Sequence, residues 1–183
     1  MTYYSARDLA ESLRTVRKNT IRIADDIPEA QYGFRPAPET RSVARLLVHI
    51  ALAPRFQQQI HQTERRTTLE GFNFPAFMQQ AMQEEEKPRS KAQITEMLTR
   101  DGAALASWIE GLSESFLAEQ VAMPPGMTPS SRSRFEMLLS TKEHEMHHRG
   151  QLMLIERLIG IVPHLTREMQ ARMAQAQTQG AAR

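Results

Sequence analysis

Cysteine is absent from the 183 residues, which removes disulfides, thiolate metal ligands and a cysteine nucleophile together. Any metal bound here must be held by histidine, aspartate or glutamate. Aromatic residues make up only 6% of the chain and β-branched residues are also sparse, so little favours extended sheet. Ala, Leu, Met, Gln, Glu and Arg are plentiful, and all favour helix. No stretch approaches the roughly 18 consecutive apolar residues that span a bilayer, and the amino terminus has no apolar signal region. A soluble cytoplasmic protein without a membrane partner is expected. An excess of one charge is also lacking. Lys plus Arg number 23 against 21 Asp plus Glu, and no basic block is interleaved with aromatics, so nucleic acid is not expected as a partner.

The length suits one domain with a sizeable core. Ser5-x-x-Asp8 resembles a capping box, and Leu9, Leu13, Val16, Thr20, Ile23 and Ile27 recur behind it at steps of three and four, predicting helix one over about residues 5–28. Pro28, Gly33 and Arg35-Pro36-Ala37-Pro38 then make a loop. Helix two starts near Thr40 or Ser42, carries Leu46, His49, Phe56 and Ile60 on one side, and should bend or loosen at Pro54. Gly71-Phe72-Asn73-Phe74-Pro75 forms a loop whose aromatics either cap the bundle or line a pocket, with Pro75 opening a short helix through about Glu85. Glu84-Glu85-Glu86 reads as a solvated acidic turn without function. Ser90-x-x-Gln93 caps helix three, which carries Trp108 as a core residue. A long connection with Pro124, Pro125, Gly126 and Pro129 follows. Helix four runs from about Ser133 to Ile159 and stops at Gly160. The expectation is an all-α four-helix bundle over residues 1–165, with a short extra helix between helices two and three. Residues 166–183 form a C-terminal extension, partly disordered.

Three of the six histidines lie in Lys142-Glu143-His144-Glu145-Met146-His147-His148-Arg149-Gly150-Gln151. On a helix His144 and His148 are one turn apart on nearly one face, about 40° apart around the axis. Met137, Thr141, Leu152, Ile155 and Ile159 fall on the same side, so the pair interrupts an apolar stripe. Buried imidazoles need partners, and one divalent ion would satisfy a nitrogen of each ring. A third ligand must come from elsewhere. His49 faces the core of helix two among Leu46, Ala53, Phe56 and Ile60 and is the candidate. His61 lies too far along helix two to share the site. His147 points about 100° away from His148 and is read as outer shell or surface, and His164 is not expected to be a ligand either. Gln151, one turn past His148, is a candidate partner for its remaining ring N–H.

Helix four has a second apolar stripe at Phe135, Leu139, Met146 and Met153. It must bury against the residues after Pro163 or against a second subunit.

Two motifs run through the same histidines. His144-Glu145-Met146-His147-His148 matches H-E-x-x-H, in which the glutamate is the general base of a zinc peptidase. The chain offers no strands for a substrate-aligning sheet, however, and Glu145 lies 60 to 100° around the helix from both histidines. Phe34-Arg35-Pro36-Ala37-Pro38-Glu39-Thr40-Arg41-Ser42-Val43-Ala44-Arg45-Leu46-Leu47-Val48-His49 resembles the start of helix two in the DinB family, and His144-x-x-x-His148-Arg149-Gly150-Gln151 resembles that family's helix-four motif. Arg41 departs from the pattern, standing where an aromatic often precedes the Ser-Val pair. The resemblance covers about residues 5–160 and implies a four-helix bundle, usually a homodimer, with a divalent ion on three histidines. By motif match these are His49, His144 and His148. Zinc or nickel is the expected metal, with iron or manganese as alternatives.

Related members of the wider superfamily are thiol-dependent S-transferases and isomerases. The resemblance therefore implies a metal-dependent transferase that joins a low-molecular-weight thiol to an electrophilic small molecule. Two rivals stay open: a metal-dependent hydrolase using His144-Glu145-x-x-His148, and a non-enzymatic bundle that binds metal or small ligands. No catalytic residue is assigned.

Overall fold

The structure, a computed structural model, describes residues 4–181. Four helical arms build a bundle: α1 (Ala6–Asp26), α2 (Val43–Leu52) with its continuation α3 (Pro54–Gln57), α5 (Lys91–Glu110) and α7 (Arg134–Leu158). The short α4 (Phe74–Glu85) lies between α2/α3 and α5 in sequence, as the pattern predicted, and packs against α2. A one-turn α6 (Glu114–Ala118) and a small antiparallel hairpin, β1 (Gln120–Ala122) with β2 (Ser131–Ser133), fill the connection into α7. No alternation in the sequence announces this hairpin, whose strands are only three residues long and bury a single side chain, Val121. Among the described residues, no helix is long and apolar enough to cross a membrane.

Local chemistry explains where these helices start. Ser5 with Asp8, Ser90 with Gln93 and Ser133 with Glu136 form reciprocal capping boxes at α1, α5 and α7, each satisfying donors that a helix start leaves orphaned. Ser42 accepts the Arg45 N–H and caps α2. Helix two does break at Pro54, which lacks the N–H an uninterrupted helix would need. Because Ala53 keeps helical dihedrals (φ −50°, ψ −39°), the chain bends without leaving the bundle and continues as a π-helical turn over Gln58–Thr63. Gly160, at φ 84°, supplies the left-handed residue that ends α7.

Beside a small third cluster of Ile60, Val121 and Met137, the core divides into two larger apolar clusters. One joins α1, α2, α5 and α7 around Ile23, Leu47, Ile50, Leu98 and Leu152. The other joins α1, α5, α6 and α7 around Leu9, Leu105, Ile109 and Leu138. Between them α1 sends a buried arginine to a buried glutamate of α7, Arg17 to Glu145. Trp108 packs half-buried against the second cluster, edge-on to Phe116, and serves no cavity at the histidines.

Beyond Gly160 the chain forms α8 (His164–Ala181). The sequence reads residues 166–183 as a partly disordered extension. Through Ala181 the described residues there belong to α8, held by its first turn, where Arg167 reaches Asp26 of α1 and Arg157 donates to Thr166. From Glu168 to Gln179 every residue is exposed. With α8 on the α1 side, the second stripe of α7 is only partly covered: Phe135, Leu139 and Met153 are half-buried, and Met146 is 42% exposed.

Candidate metal centre

Helix α7 presents Met137, Thr141, His148, Leu152 and Ile155 to the interior, all buried, with half-buried His144 on the same face. His49 sits in the last turn of α2, where that helix packs on α7. The structure brings these three histidines together and leaves out the other three. The Nε2 atoms of His49 and His144 are 3.0 Å apart, and those of His148 and His144 are 3.1 Å apart. Three donor atoms, one from each ring, all lie within 4.8 Å of one another.

The outer ring nitrogens decide what the inner ones can do. His49 Nδ1 lies 2.6 Å from Glu85 Oε1, and an ionised carboxylate can only accept, so Nδ1 carries the proton and Nε2 is a bare lone pair. His148 Nδ1 donates in the same way to Gln151 Oε1 at 2.8 Å, while the Gln151 amide N–H reaches His147 Nε2 at 3.2 Å. Two inward lone pairs therefore flank His144 Nε2, which could donate a proton to only one of them. A cation at the centre removes the conflict. These two separations lie between the edge of an octahedral site, about 3.0 Å, and of a tetrahedral site, about 3.4 Å, for histidine nitrogens near 2.1 Å from a metal. The donor set fits a divalent ion.

Electrostatics favour the neutral, ligating form of His144 and His148. Burial, reinforced by the neighbouring histidines, pushes His144 down to about 4. Burial also lowers His148, partly opposed by its hydrogen bond to Gln151. Burial alone would raise the Glu85 carboxyl, but hydrogen bonds from His49 and Arg41 outweigh it and hold Glu85 ionised, below the usual range.

Glu85 corrects the sequence reading. The Glu84–Glu86 run reads as a solvated turn without function, yet Glu85 is 3% exposed and closes a carboxylate–histidine pair behind the site. Its other oxygen accepts Arg41 Nε at 2.7 Å. A signal was present: Phe74, Phe77, Met78, Ala81 and Glu85 recur at three- and four-residue steps, so Glu85 continues the inward stripe of α4.

Glu145 is buried but serves the fold. Arg17 holds both its oxygens, at 2.9 and 3.1 Å from Nε, and its carboxylate lines neither cavity beside the histidines. The H-E-x-x-H letters are present and the general base they require is not. His61 is also fully buried, receiving a hydrogen bond from Arg134 on Nδ1 and giving one from Nε2 to Gln57 Oε1. His147 is exposed, and His164 lies at the start of α8 beside Asn19.

Two cavities border the triad, with no lining residue in common. One, of about 300 Å³, is bordered by His49 and His144 and walled by Phe56, Phe74, Phe77 and Met78. Phe56 makes edge contacts with both other rings, at 5.7 and 5.5 Å between centroids. Of the loop aromatics, Phe74 lines the pocket, while Phe72 packs on the cluster of Ile60, Val121 and Met137 and meets Phe56 at 5.5 Å. The other cavity, of about 490 Å³, is bordered by His148 and Gln151 and contains Arg35, Arg41 and Arg45.

A profile of the DinB superfamily matches residues 12–152, which includes all three histidines. The chain belongs to the DinB superfamily. Solved structures with the same fold include a DinB-like protein of Bacillus subtilis, 18% identical with a TM-score of 0.59, over 83% of this chain and 91% of that one. An uncharacterised protein of Clostridium difficile 630 is 12% identical with a TM-score of 0.66, over 87% and 99% of the two chains. A conserved protein of Enterococcus faecalis is 16% identical with a TM-score of 0.65, over 86% and 98%. No curated protein matches the chain.

Proposed function

We propose that this DinB-superfamily chain is a divalent-metal-dependent enzyme that holds one ion on His49, His144 and His148 and joins a low-molecular-weight thiol to an electrophilic small molecule. The observation that carries the reading is the convergence of three imidazole Nε2 atoms beside two cavities of different chemistry. Zinc or nickel suits three neutral nitrogens with open positions, and iron or manganese is the alternative. Such an ion supplies Lewis acidity that lowers the pKa of a coordinated thiol or water. The choice of a thiol follows the wider superfamily, to which S-transferases belong.

The side chains of this protein supply position and surroundings. Glu85 and Gln151 fix the tautomer and orientation of His49 and His148. Phe56, Phe74, Phe77 and Met78 give the electrophile an apolar wall and exclude water from its carbon skeleton. Thr141 Oγ1, buried against this cavity and without a partner among the described residues, offers a donor to a polar substituent on the electrophile. In the transfer, the thiol proton goes to solvent, the sulfur forms a C–S bond to the electrophilic carbon, and the leaving group departs with the electron pair of the broken bond.

The hydrolase reading is weaker, because Glu145 is committed to Arg17 and neither cavity is lined by it. Metal analysis of protein made without a histidine tag comes first. The metal-loaded protein is then given 1-chloro-2,4-dinitrobenzene with and without 2-mercaptoethanol. Chloride release that needs both thiol and metal supports the transferase. Turnover of 4-nitrophenyl acetate without thiol would favour the hydrolase, and bound metal with neither activity would favour a non-enzymatic bundle.

A further inference from the structure

The arginine-lined cavity has no role in the bond-making step itself. Arg41 and Arg45 stand on its wall at the start of α2, half-buried, with Arg35 exposed on the loop before it. Their bonds are unequal. Arg41 is committed to buried Glu85. Arg45 Nη2 pairs with Glu86, which is 60% exposed, and a surface partner of that kind is readily exchanged. Arg45 Nε is buried with no hydrogen-bond partner, although an unmade bond of this type is costly. Arg35 has no carboxylate partner among the described residues and donates only to the Thr40 carbonyl, at 2.9 Å. Glu39, exposed, is the one acid on the lining.

We propose that this cavity is a carboxylate-binding subsite for the second reactant, with Arg45 and Arg35 as its donors. Arg41 faces Glu85, Arg45 faces exposed Glu86, and Glu39 stands on the lining, so three arginines meet three acids and no excess of positive charge is left to hold a phosphate dianion. A monoanionic carboxylate can take the place of the exposed Glu86 carboxylate on Arg45. The planar guanidinium fork matches a carboxylate edge, and Pro36, Leu46 and Leu154 beside it accept a short aliphatic chain. His148 lines this same cavity, so a reactant anchored by its carboxylate can extend its other end to the histidines. Assigning that reactant to the nucleophile rests on the thiol-transfer reading; the subsite itself does not. Arg41 links the subsite to the triad, because Glu85 binds both Arg41 and His49.

Butyrate is the probe, with butyramide as its neutral isostere and inorganic phosphate as the more highly charged competitor. Binding is followed by calorimetry on metal-loaded and metal-free protein. Butyrate should bind about tenfold more tightly than butyramide, the loss expected for one charge-assisted bond. The preference should persist without metal and weaken by a similar factor in Arg45→Gln and in Arg35→Gln. Circular dichroism shows whether each variant is folded, and Arg35→Gln, which alters only an exposed side chain, keeps the test decisive if Arg45→Gln is not. Equal binding of butyrate and butyramide overturns the proposal, as does butyrate binding that requires metal and ignores both arginine variants. Tighter binding of phosphate than of butyrate overturns the choice of carboxylate. Failure of the thiol-transfer assay leaves these outcomes unchanged, so the two readings fail separately.

Discussion

Arg17 of α1 and Glu145 of α7 form a buried pair in which Nε and Nη2 of the guanidinium both reach the carboxylate, at 2.9 to 3.1 Å. A further donor, Arg17 Nη1, reaches the Leu98 carbonyl of α5 at 2.6 Å, so one side chain ties three helices. Gly102 makes the room: a Cβ there would sit 2.8 Å from Arg17 Cγ. Removing one partner strands a buried charge, and a loss of about 3 to 5 kcal/mol is expected for Arg17→Met or Glu145→Leu alone. The double variant Arg17→Met, Glu145→Leu should recover much of it. Denaturant unfolding measures this, and metal stoichiometry measured alongside should be unchanged in Glu145→Gln. A Glu145→Gln protein that is fully stable but inactive would return the carboxylate to the chemistry.

The three-histidine site makes a sharper demand. Replacing His49, His144 or His148 singly with Ala should abolish stoichiometric metal binding, while His61→Ala and His147→Ala keep it. His61→Ala should nonetheless lower stability, because it empties a fully buried position and leaves Arg134 and Gln57 short of a partner. Elemental analysis of the purified variants decides. If His49→Ala binds metal as well as wild type, the site is not built as described.

Behind the ligands, Glu85 should matter more than Gln151. A carboxylate raises the basicity of the ring it holds, whereas an amide mainly orients it. Glu85→Gln is expected to weaken metal affinity by about 10- to 100-fold, and Gln151→Ala by less. Competition with a chromophoric chelator gives both constants, and equal losses would show that orientation alone is at work.

Much of this arrangement was readable because it is local. Capping boxes at Ser5 and Ser90, the break at Pro54 and the stop at Gly160 depend only on near neighbours in sequence. The pairing of His144 with His148 depends only on helical pitch. Glu85 was missed because its flanking acids disguise it: Glu84 and Glu86 are what a solvated turn looks like, and only the stripe from Phe74 shows that the middle residue turns inward. Arg41 reads as a mere departure from the family pattern until the fold brings Glu85 to it from 44 positions away. The role of Glu145 was hidden for a related reason. Its partner is 128 positions away, and the five-letter motif offers a nearer but empty explanation.

The outer stripe of α7 carries the expectation of a homodimer. Helix α8 does not cover it, and Met146 stands 42% exposed between half-buried Leu139 and Met153. A two-fold contact there would bring the same stripe from both copies together. Wild type should sediment as a dimer, and Leu139→Asp with Met146→Asp should give a folded monomer. A wild-type monomer at high concentration would mean that this stripe makes no contact between copies.

Glu156 gives a prediction about pH that is independent of the metal. It is fully buried on α7, and neither carboxylate oxygen has a hydrogen-bond partner among the described residues. Burial, with Asp26 adding to it, pushes the carboxyl up to about 7, against opposing Arg167 and Arg157. Arg167 is itself engaged by Asp26 at 2.6 Å. The folded state therefore holds this proton more tightly than the unfolded chain, whose glutamates titrate near 4.5. Below that value both states are protonated and there is no penalty. As pH rises from 4.5 through 7 the unfolded state is the first to release the proton, and stability declines by up to about 3 kcal/mol. Glu156→Gln cannot titrate, so its melting temperature relative to wild type should climb by several degrees between pH 5 and pH 8. The slope is the test, since a buried amide carries its own pH-independent cost. A difference that stays constant across that range would show that Glu156 is ionised in the folded protein and finds a partner in Arg167 or Arg157.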